Sequence, residues 1–470
     1  MIDFTQLGQY RENNRIEAKK ALGGFPESVW ETYSAFANTF GGIILLGVVE
    51  EKDQSLHAVN LPDPRQYIDE FWRVIGDKNR VSANILSAGD VSVQDVDGKN
   101  IIVITVPRAS RQDKPVFIGG SPFGGTYRRS GDGDYRCSYS EVENMLRDAK
   151  ITTPDTFLTD LPLSALNEAT IRRYRGDVLE RRICGALTNA YGTDFLVRIG
   201  AARALGERIF PTNAGLITFG KNAEIKRIFP KYILKVQTAD GRKIICSEKD
   251  NRSGNAYDFY CLAQQLLGEY AAAVAYDNQK IIKGALLEAL LNSIINADYY
   301  GGGVTITVGE RQIDFTNAGS FRILPKDAAD GGVSDPRNAA LSRIFSYAGT
   351  GSRSGRGIPS IFAAWNKCGY SAPVIKESFA PDAITFSFPF SSDEKSDSTV
   401  SKTGRIVSLA LKKAAIIDYL TDNASADAET LRLSLRLDDK DTRLLLDSLL
   451  SENVVEVFLS GGKICYRLKY

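Results

Sequence analysis

Glu288, Asn292 and Asn296 stand four residues apart in the run Ala285-Leu-Leu-Glu-Ala-Leu-Leu-Asn-Ser-Ile-Ile-Asn-Ala-Asp298. The run is otherwise rich in Leu, Ile and Ala, the composition of a buried helix. Four-residue spacing stacks side chains on one helical face. A stripe of one carboxylate and two amides in such a helix is costly unless something satisfies it. A nucleotide's phosphates with Mg²⁺ would do so. The amide oxygen of Asn292 is a hard ligand of the kind Mg²⁺ takes, and Glu288, one turn earlier, is spaced to orient or deprotonate a water beside a γ-phosphate. The competing reading is the solvated side of an amphipathic helix. Against it, Asn is a poor helix former, and a solvated face usually carries Lys, Glu or Arg.

The following segments would hold that stripe in place. Val304 to Val308 alternates as a strand, Ile313 to Thr316 reads as a second, and Asn317-Ala-Gly319 makes a turn. Later comes the run Gly349-Thr-Gly-Ser-Arg-Ser-Gly-Arg-Gly-Ile358. Such a run can approach phosphates closely and offer backbone N–H groups to them.

This order resembles the GHKL ATP-binding fold, in the divergent branch of bacterial proteins described as predicted transcriptional regulators. That branch carries His-Arg-Asp-Tyr, then Asn-Pro-Gly, then Ser-x-Pro-Arg-Asn; this chain has Asn296-Ala-Asp-Tyr299, Asn317-Ala-Gly319 and Ser334-Asp-Pro-Arg-Asn338. The last match is intact, whereas the His, Arg and Pro of the first two are absent, and Asn317 stands where many GHKL proteins have Asp. The resemblance implies Mg-ATP bound with Glu288 as water activator and Asn292 as Mg²⁺ ligand. It also implies Asn317 and Gly319 facing the adenine, and Gly355 and Gly357 in the phosphate loop. At most a weak ATPase is expected.

Composition narrows the alternatives. At 470 residues the chain should hold several domains, and 43% hydrophobic with 24% charged residues is ordinary for a folded protein. A net charge of +1 makes no global case for nucleic acid, so any basic surface is local. The 6 cysteines have no Cys-x-x-Cys pair, which argues against a zinc site or disulfide scaffold and fits a reducing, cytoplasmic setting. With His57 the only histidine, a Ser-His-Asp or Cys-His site is disfavoured. The N-terminus has no signal pattern, and the apolar run Ile43 to Val49 is too short to span a bilayer, so no membrane role is expected. The chain has no Gly-x-x-x-x-Gly-Lys-Ser/Thr loop, so a helicase motor is not supported.

The first unit, residues 1–150, reads as α+β. It has a helix from Ser28 to Phe40, a strand from Ile43 to Val49, and a hairpin of Val91–Val96 and Ile101–Val106 about an Asp97-Gly98 turn. Thr126 to Arg129 reads as extended. Glu17-Ala-Lys19, Ala35-Phe-Ala-Asn-Thr-Phe-Gly-Gly42, Leu46-Gly-Val48 and Tyr127-Arg-Arg129 resemble the Schlafen AlbA-type domain. That resemblance implies nucleic-acid binding, and ribonuclease activity from three acids in some members. The small residues of Ala35–Gly42 also suit close helix-to-strand packing, with Asn38 as a helix cap. Lys19, Arg128 and Arg129 are the binding candidates. Successive strand residues face opposite ways, so one of the two arginines is expected to reach a phosphate. An alternative set is Glu12, Glu17 and Glu50, three carboxylates that could hold a divalent metal for phosphodiester cleavage.

Residues 151–275 read as a connector, 276–390 as the nucleotide fold, and 391–404 as a polar linker. Residues 405–470 show three helices (Ile406–Leu420, Ala424–Leu435, Asp439–Glu452) and a hairpin turned at Ser460-Gly-Gly462, the pattern of a winged helix. Its third helix carries Lys440 and Arg443, but also Asp438, Asp439 and Asp441, which oppose phosphate contact.

The expected fold class is therefore α+β multidomain: a Schlafen AlbA-type domain, a GHKL-like α/β sandwich and a C-terminal winged helix-turn-helix. The expected function is an ATP-controlled, nucleic-acid-binding transcriptional regulator, acting on DNA rather than RNA, in a homodimer. The rivals are a metal-dependent nuclease and a protein-interaction scaffold with a degenerate nucleotide pocket.

Overall fold

The computed structural model describes residues 4–181, 185–239, 244–246, 254–349, 357–379 and 381–390, and in the C-terminal part 412–413, 416–417, 419–420, 423, 425–435, 437–451, 454–460 and 463–469. Gly355 and the expected linker 391–404 lie outside the described residues. The chain divides into two compact units, residues 1–152 with 322–324, and residues 153–321 with 325–470.

In the first unit a four-stranded sheet has the order Ile16–Lys19, Gly42–Leu46, Lys99–Val106, Val91–Val96. The first pair is parallel and the others antiparallel. Helix Val29–Asn38 is the crossover between the parallel strands and buries nearly all its side chains. Small residues in Ala35–Gly42 make this possible. A Cβ on Gly42 would lie 2.7 Å from the Phe36 ring, and one on Gly41, at φ +74°, 2.7 Å from the Val106 carbonyl oxygen. Gly41 closes the helix by donating its N–H to Phe36 O at 2.9 Å. Asn38, expected as the cap, instead bridges away from the helix: Nδ2 donates to Val116 O (2.8 Å) and Tyr127 O (3.0 Å), and Oδ1 accepts from Val116 N. The single strand expected over Ile43–Val49 is two, Gly42–Leu46 and Val48–Glu50, because Gly47 turns the chain at φ +82°. The hairpin forms as expected, with Asp97 and Gly98 both at positive φ.

The second unit is built on a six-stranded sheet of order Ile244–Cys246, Ile233–Thr238, Gly303–Val308, Gln312–Ala318, Asp382–Pro389, Val374–Phe379. Only the pairing of Ile233–Thr238 with Gly303–Val308 is parallel. Helices Ala256–Val274 and Gln279–Asn296 pack together and onto the sheet, and helix Gly357–Lys367 packs on Gln279–Asn296. One apolar core runs from Leu161 to Phe388. The segment read as connector thus supplies a central strand and a packing helix. Alternation in Ile233–Thr238 identifies a strand but carries no information on its partner.

C-terminally, helices Ala428–Ser434 and Asp439–Ser451 precede the hairpin Val455–Ser460 and Lys463–Leu468, with Ala426–Asp427 as a third strand. They enclose a small core of Ile416, Leu420, Leu431, Leu445, Leu446, Leu449 and Val455.

Candidate functional site

Helix Gln279–Asn296 presents Glu288 and Asn292 to the first residue of helix Gly357–Lys367. A Cβ on Gly357 would stand 2.3 Å from Glu288 Oε1 and 3.2 Å from Asn292 Nδ2, so only glycine fits without moving the carboxylate. Burial alone raises the Glu288 carboxyl above its ordinary range. Asn292 Nδ2 is buried with no hydrogen-bond partner among the described residues, a costly arrangement that a ligand would relieve. The Glu288 carboxylate is an oxygen that Mg²⁺ would take, and the Asn292 amide N–H beside the glycine backbone is a donor that suits a phosphate oxygen. Asn296 is differently employed: its Nδ2 donates to Asn292 O at 2.9 Å and its Oδ1 accepts weakly from Arg337 N at 3.4 Å.

The intact Ser334–Asn338 motif fastens the end of that helix. Asn338 Nδ2 donates to Ile295 O (3.1 Å) and Ala297 O (2.8 Å). Arg337 Nε donates to Asn296 O (3.0 Å) and Nη2 to Ser320 O (2.6 Å). Asn317 is not in a turn but in the strand, opposite Val304 and Ile384, buried, with Nδ2 donating to Ala318 O at 3.2 Å. Gly319, at φ +98°, begins the turn, and a Cβ there would lie 2.8 Å from Arg337 Nη2. The guanidinium therefore covers the glycine expected to face a base. Sequence reasoning had given Arg337 and Asn338 no role, although the unbroken motif was the available signal. It also passed over Arg181, whose Cδ would lie 2.4 Å from a Cβ on Gly349, where the glycine-rich run begins. Asn338→Ala should cost about 1–3 kcal/mol in urea unfolding, since it takes the side-chain donor from the Ala297 carbonyl, while Ile295 O keeps the backbone N–H of residue 338.

In the first unit, Glu17 is buried between two cations. Lys19 Nζ lies 2.5 Å from Oε1 and Arg129 Nη2 2.8 Å from Oε2. The second contact is an ion pair off hydrogen-bond alignment, since Oε2 has no aligned donor. Arg129 also pairs with Asp134 at 3.0 Å, donates to the carbonyls of Asn13 and Ile16, and stacks over Phe36. Its side chain is 1% exposed. This corrects its expected place on the nucleic-acid surface: Arg129 faces inward because its strand turns that side onto helix Val29–Asn38. Arg128 faces the other way, 21% exposed, with Nε 2.9 Å from Glu141 Oε1.

The Glu12 carboxyl is raised first by burial and further by the charges of Glu17 and Glu50, against the lowering effect of the hydrogen bond from Ala18 N at 2.8 Å. No set of three His, Cys, Asp or Glu residues among those described is arranged to hold a metal ion.

On the C-terminal helix, Lys440 is exposed and Arg443 pairs with Asp439 at 3.0 Å, while Asp438 and Asp441 pair with Lys412. A cavity of about 400 Å³ beside His57, Leu7 and Lys99 has none of the candidate carboxylates in its wall. There the Ser55 hydroxyl donates to Asp53 Oδ1 (2.5 Å) and lies 2.7 Å from His57 Nε2. A hydroxyl donating to the carboxylate is not a nucleophile activated by histidine.

Residues 12–138 match the model of the Schlafen, AlbA_2 family. This part of the chain is a Schlafen AlbA_2 domain. The N-terminal domain of a RecG-related protein from Nitrosomonas europaea is 33% identical, aligned over 29% of this chain and 94% of that one, with a TM-score of 0.23. After the AlbA_2 domain, residues 143–235 match a domain of unknown function (DUF8451). The DIP2311 protein from Corynebacterium diphtheriae aligns over 97% of this chain and 95% of its own at 16% identity, with a TM-score of 0.39. No curated protein matches the chain. No helix among the described residues is long and apolar enough to cross a membrane.

Proposed function

We propose that the chain is a nucleic-acid-binding regulator, acting on DNA, whose state is set by Mg-ATP held in a GHKL-like fold of the second unit. The observation that carries the nucleotide part is the meeting of Gly357 with Glu288 and with an Asn292 amide nitrogen that has no partner among the described residues. The AlbA_2 domain supports the nucleic-acid part. Mg²⁺ would supply Lewis-acid stabilisation of phosphate charge. Asn292 would offer its amide oxygen to the metal, and Glu288 would hold a water. The raised Glu288 carboxyl suits proton exchange closer to neutrality than an ordinary carboxylate allows. The helix and hairpin order of the C-terminal part supports a winged helix there. The regulator reading does not require a homodimer. The test is binding of labelled DNA to the full chain with and without Mg-ATP. A nucleotide-dependent change in affinity is expected, and identical affinities would remove ATP control.

The mutual repulsion that Glu12 feels from Glu17 and Glu50 is the one observation toward a second reading, a metal-dependent nuclease. On that reading Mn²⁺ or Mg²⁺ should support cleavage of RNA or DNA, and Glu17→Gln should abolish it. Since Glu17 already binds Lys19 and Arg129, we expect no cleavage. Metal-dependent cleavage lost in Glu17→Gln would reverse the order of the two readings.

A further inference from the structure

We infer that Phe123 and Tyr139 form a platform on which unpaired nucleobases stack, with Tyr135 exposed on the neighbouring hairpin, so that the N-terminal unit takes single-stranded nucleic acid; this rests on the nucleic-acid reading above. Phe123 lies in the short helix Pro122–Gly125, and Tyr139 opens helix Tyr139–Ala149. Their rings are parallel, 14° apart in plane, with centroids at 4.4 Å. Yet Phe123 is 38% and Tyr139 63% exposed, and neither belongs to the apolar cores of this unit. Burial therefore does not account for the pair. Tyr139 is held by a rigid start to its helix, where Ser138 and Glu141 cap each other. The ground around Phe123 is open, since a Cβ on Gly119, Gly120 or Gly124 would meet nothing within 4 Å.

Tyr135, 54% exposed, stands opposite Arg128 in the hairpin Tyr127–Ser130 and Gly133–Arg136. Arg128 in turn reaches Glu141 in the first turn of the Tyr139 helix. The Arg128–Glu141 pair thus ties the hairpin that carries Tyr135 to the helix that carries Tyr139, and a base laid on the open face of Tyr139 would continue the stack begun by Phe123. Bases inside a duplex have their faces covered, so an aromatic platform selects unpaired ones. The near-neutral charge points the same way. A chain of net charge +1 offers little counterion release, whereas stacking supplies affinity that depends weakly on salt.

The experiment is fluorescence anisotropy of the full chain with labelled oligo-dT, oligo-U and a duplex DNA. Single strands should bind more tightly than duplex. Phe123→Ala and Tyr139→Ala should each weaken single-strand binding by about 5- to 100-fold with unchanged melting temperature, as expected when a stacking ring is lost, and Tyr139→Trp should retain it. Between about 50 and 200 mM salt the affinity should fall by far less than the roughly 1,000-fold or more of proteins that bind many phosphates. Single-strand binding unaffected in both alanine variants, or preference for the duplex, would overturn the platform and leave the nucleic-acid reading intact. No binding to any of the three probes would overturn both.

Discussion

Mg-ATP at about a hundred times its dissociation constant should stabilise the second unit by about 2.7 kcal/mol, a rise of several degrees in its melting temperature. Gly357→Ala and Asn292→Ala should each abolish the rise without weakening the nucleotide-free protein. The reasons differ. The new Cβ at position 357 would take the space beside Glu288 Oε1, and because that atom ends a flexible side chain, the carboxylate swings away and the fold survives. Asn292→Ala removes a buried amide nitrogen that has no partner among the described residues, so relief of desolvation offsets lost packing. A variant that loses ligand response but keeps its melting temperature separates a binding role from a structural one. No rise at millimolar Mg-ATP in the wild type would end the nucleotide reading and favour a scaffold.

The same carboxylate gives that result a pH signature. Burial raises the Glu288 pKa in the folded state. As pH climbs from the unfolded value through the folded one, the unfolded chain releases its proton first, and the fold loses stability. Glu288→Gln lacks this loss. The variant should therefore gain on the wild type as pH rises above the ordinary glutamate value of about 4.3 in urea titrations; a constant difference from there to neutrality would show that Glu288 does not titrate as its burial demands.

Arg129→Met should be the most damaging single change in the AlbA_2 domain, costing about 3–5 kcal/mol, the usual effect of stripping one partner from a buried charge network. It would leave one oxygen of Glu17 and one of Asp134 facing an apolar chain and the Asn13 carbonyl without its guanidinium donor, while Glu17 keeps Lys19 and the Ile16 carbonyl keeps the Asn13 backbone N–H. Arg129→Lys should recover little, since one ammonium cannot span two carboxylates and two carbonyls as a guanidinium fork does. Arg128→Ala, next in sequence but partly exposed, should cost less than about 1 kcal/mol. Trp30 and Trp72 lie in this unit and Trp365 in the other. Single-tryptophan derivatives followed in urea therefore read the two transitions apart, which matters because a chain of several units need not unfold in two states. Equal losses at 128 and 129 would mean that the network contributes no more than a surface pair.

These contrasts show what was legible in the residues. Local chemistry was. The Asp97-Gly98 hairpin, the C-terminal hairpin, the helix in the run Ala285–Asp298 and the Glu288–Asn292 pairing on one face all follow from turn types and periodicity, which neighbouring residues alone determine. The reach of Asn38 was not, because its partners Val116 and Tyr127 are distant in the chain.

By itself, then, the order of residues determined the secondary elements, the candidate stripe on one helix and the resemblance that the AlbA_2 match now supports. Tertiary structure decided three further matters. It buried Arg129 and left Arg128 near the surface, because strand alternation separates two faces but only packing says which is covered. It drew Ile233–Thr238 into the second sheet, because a strand's partner is chosen across the fold. And it set Gly357 against Glu288 and Asn292, bringing residues nearly seventy positions apart within contact distance, a meeting that no local propensity encodes.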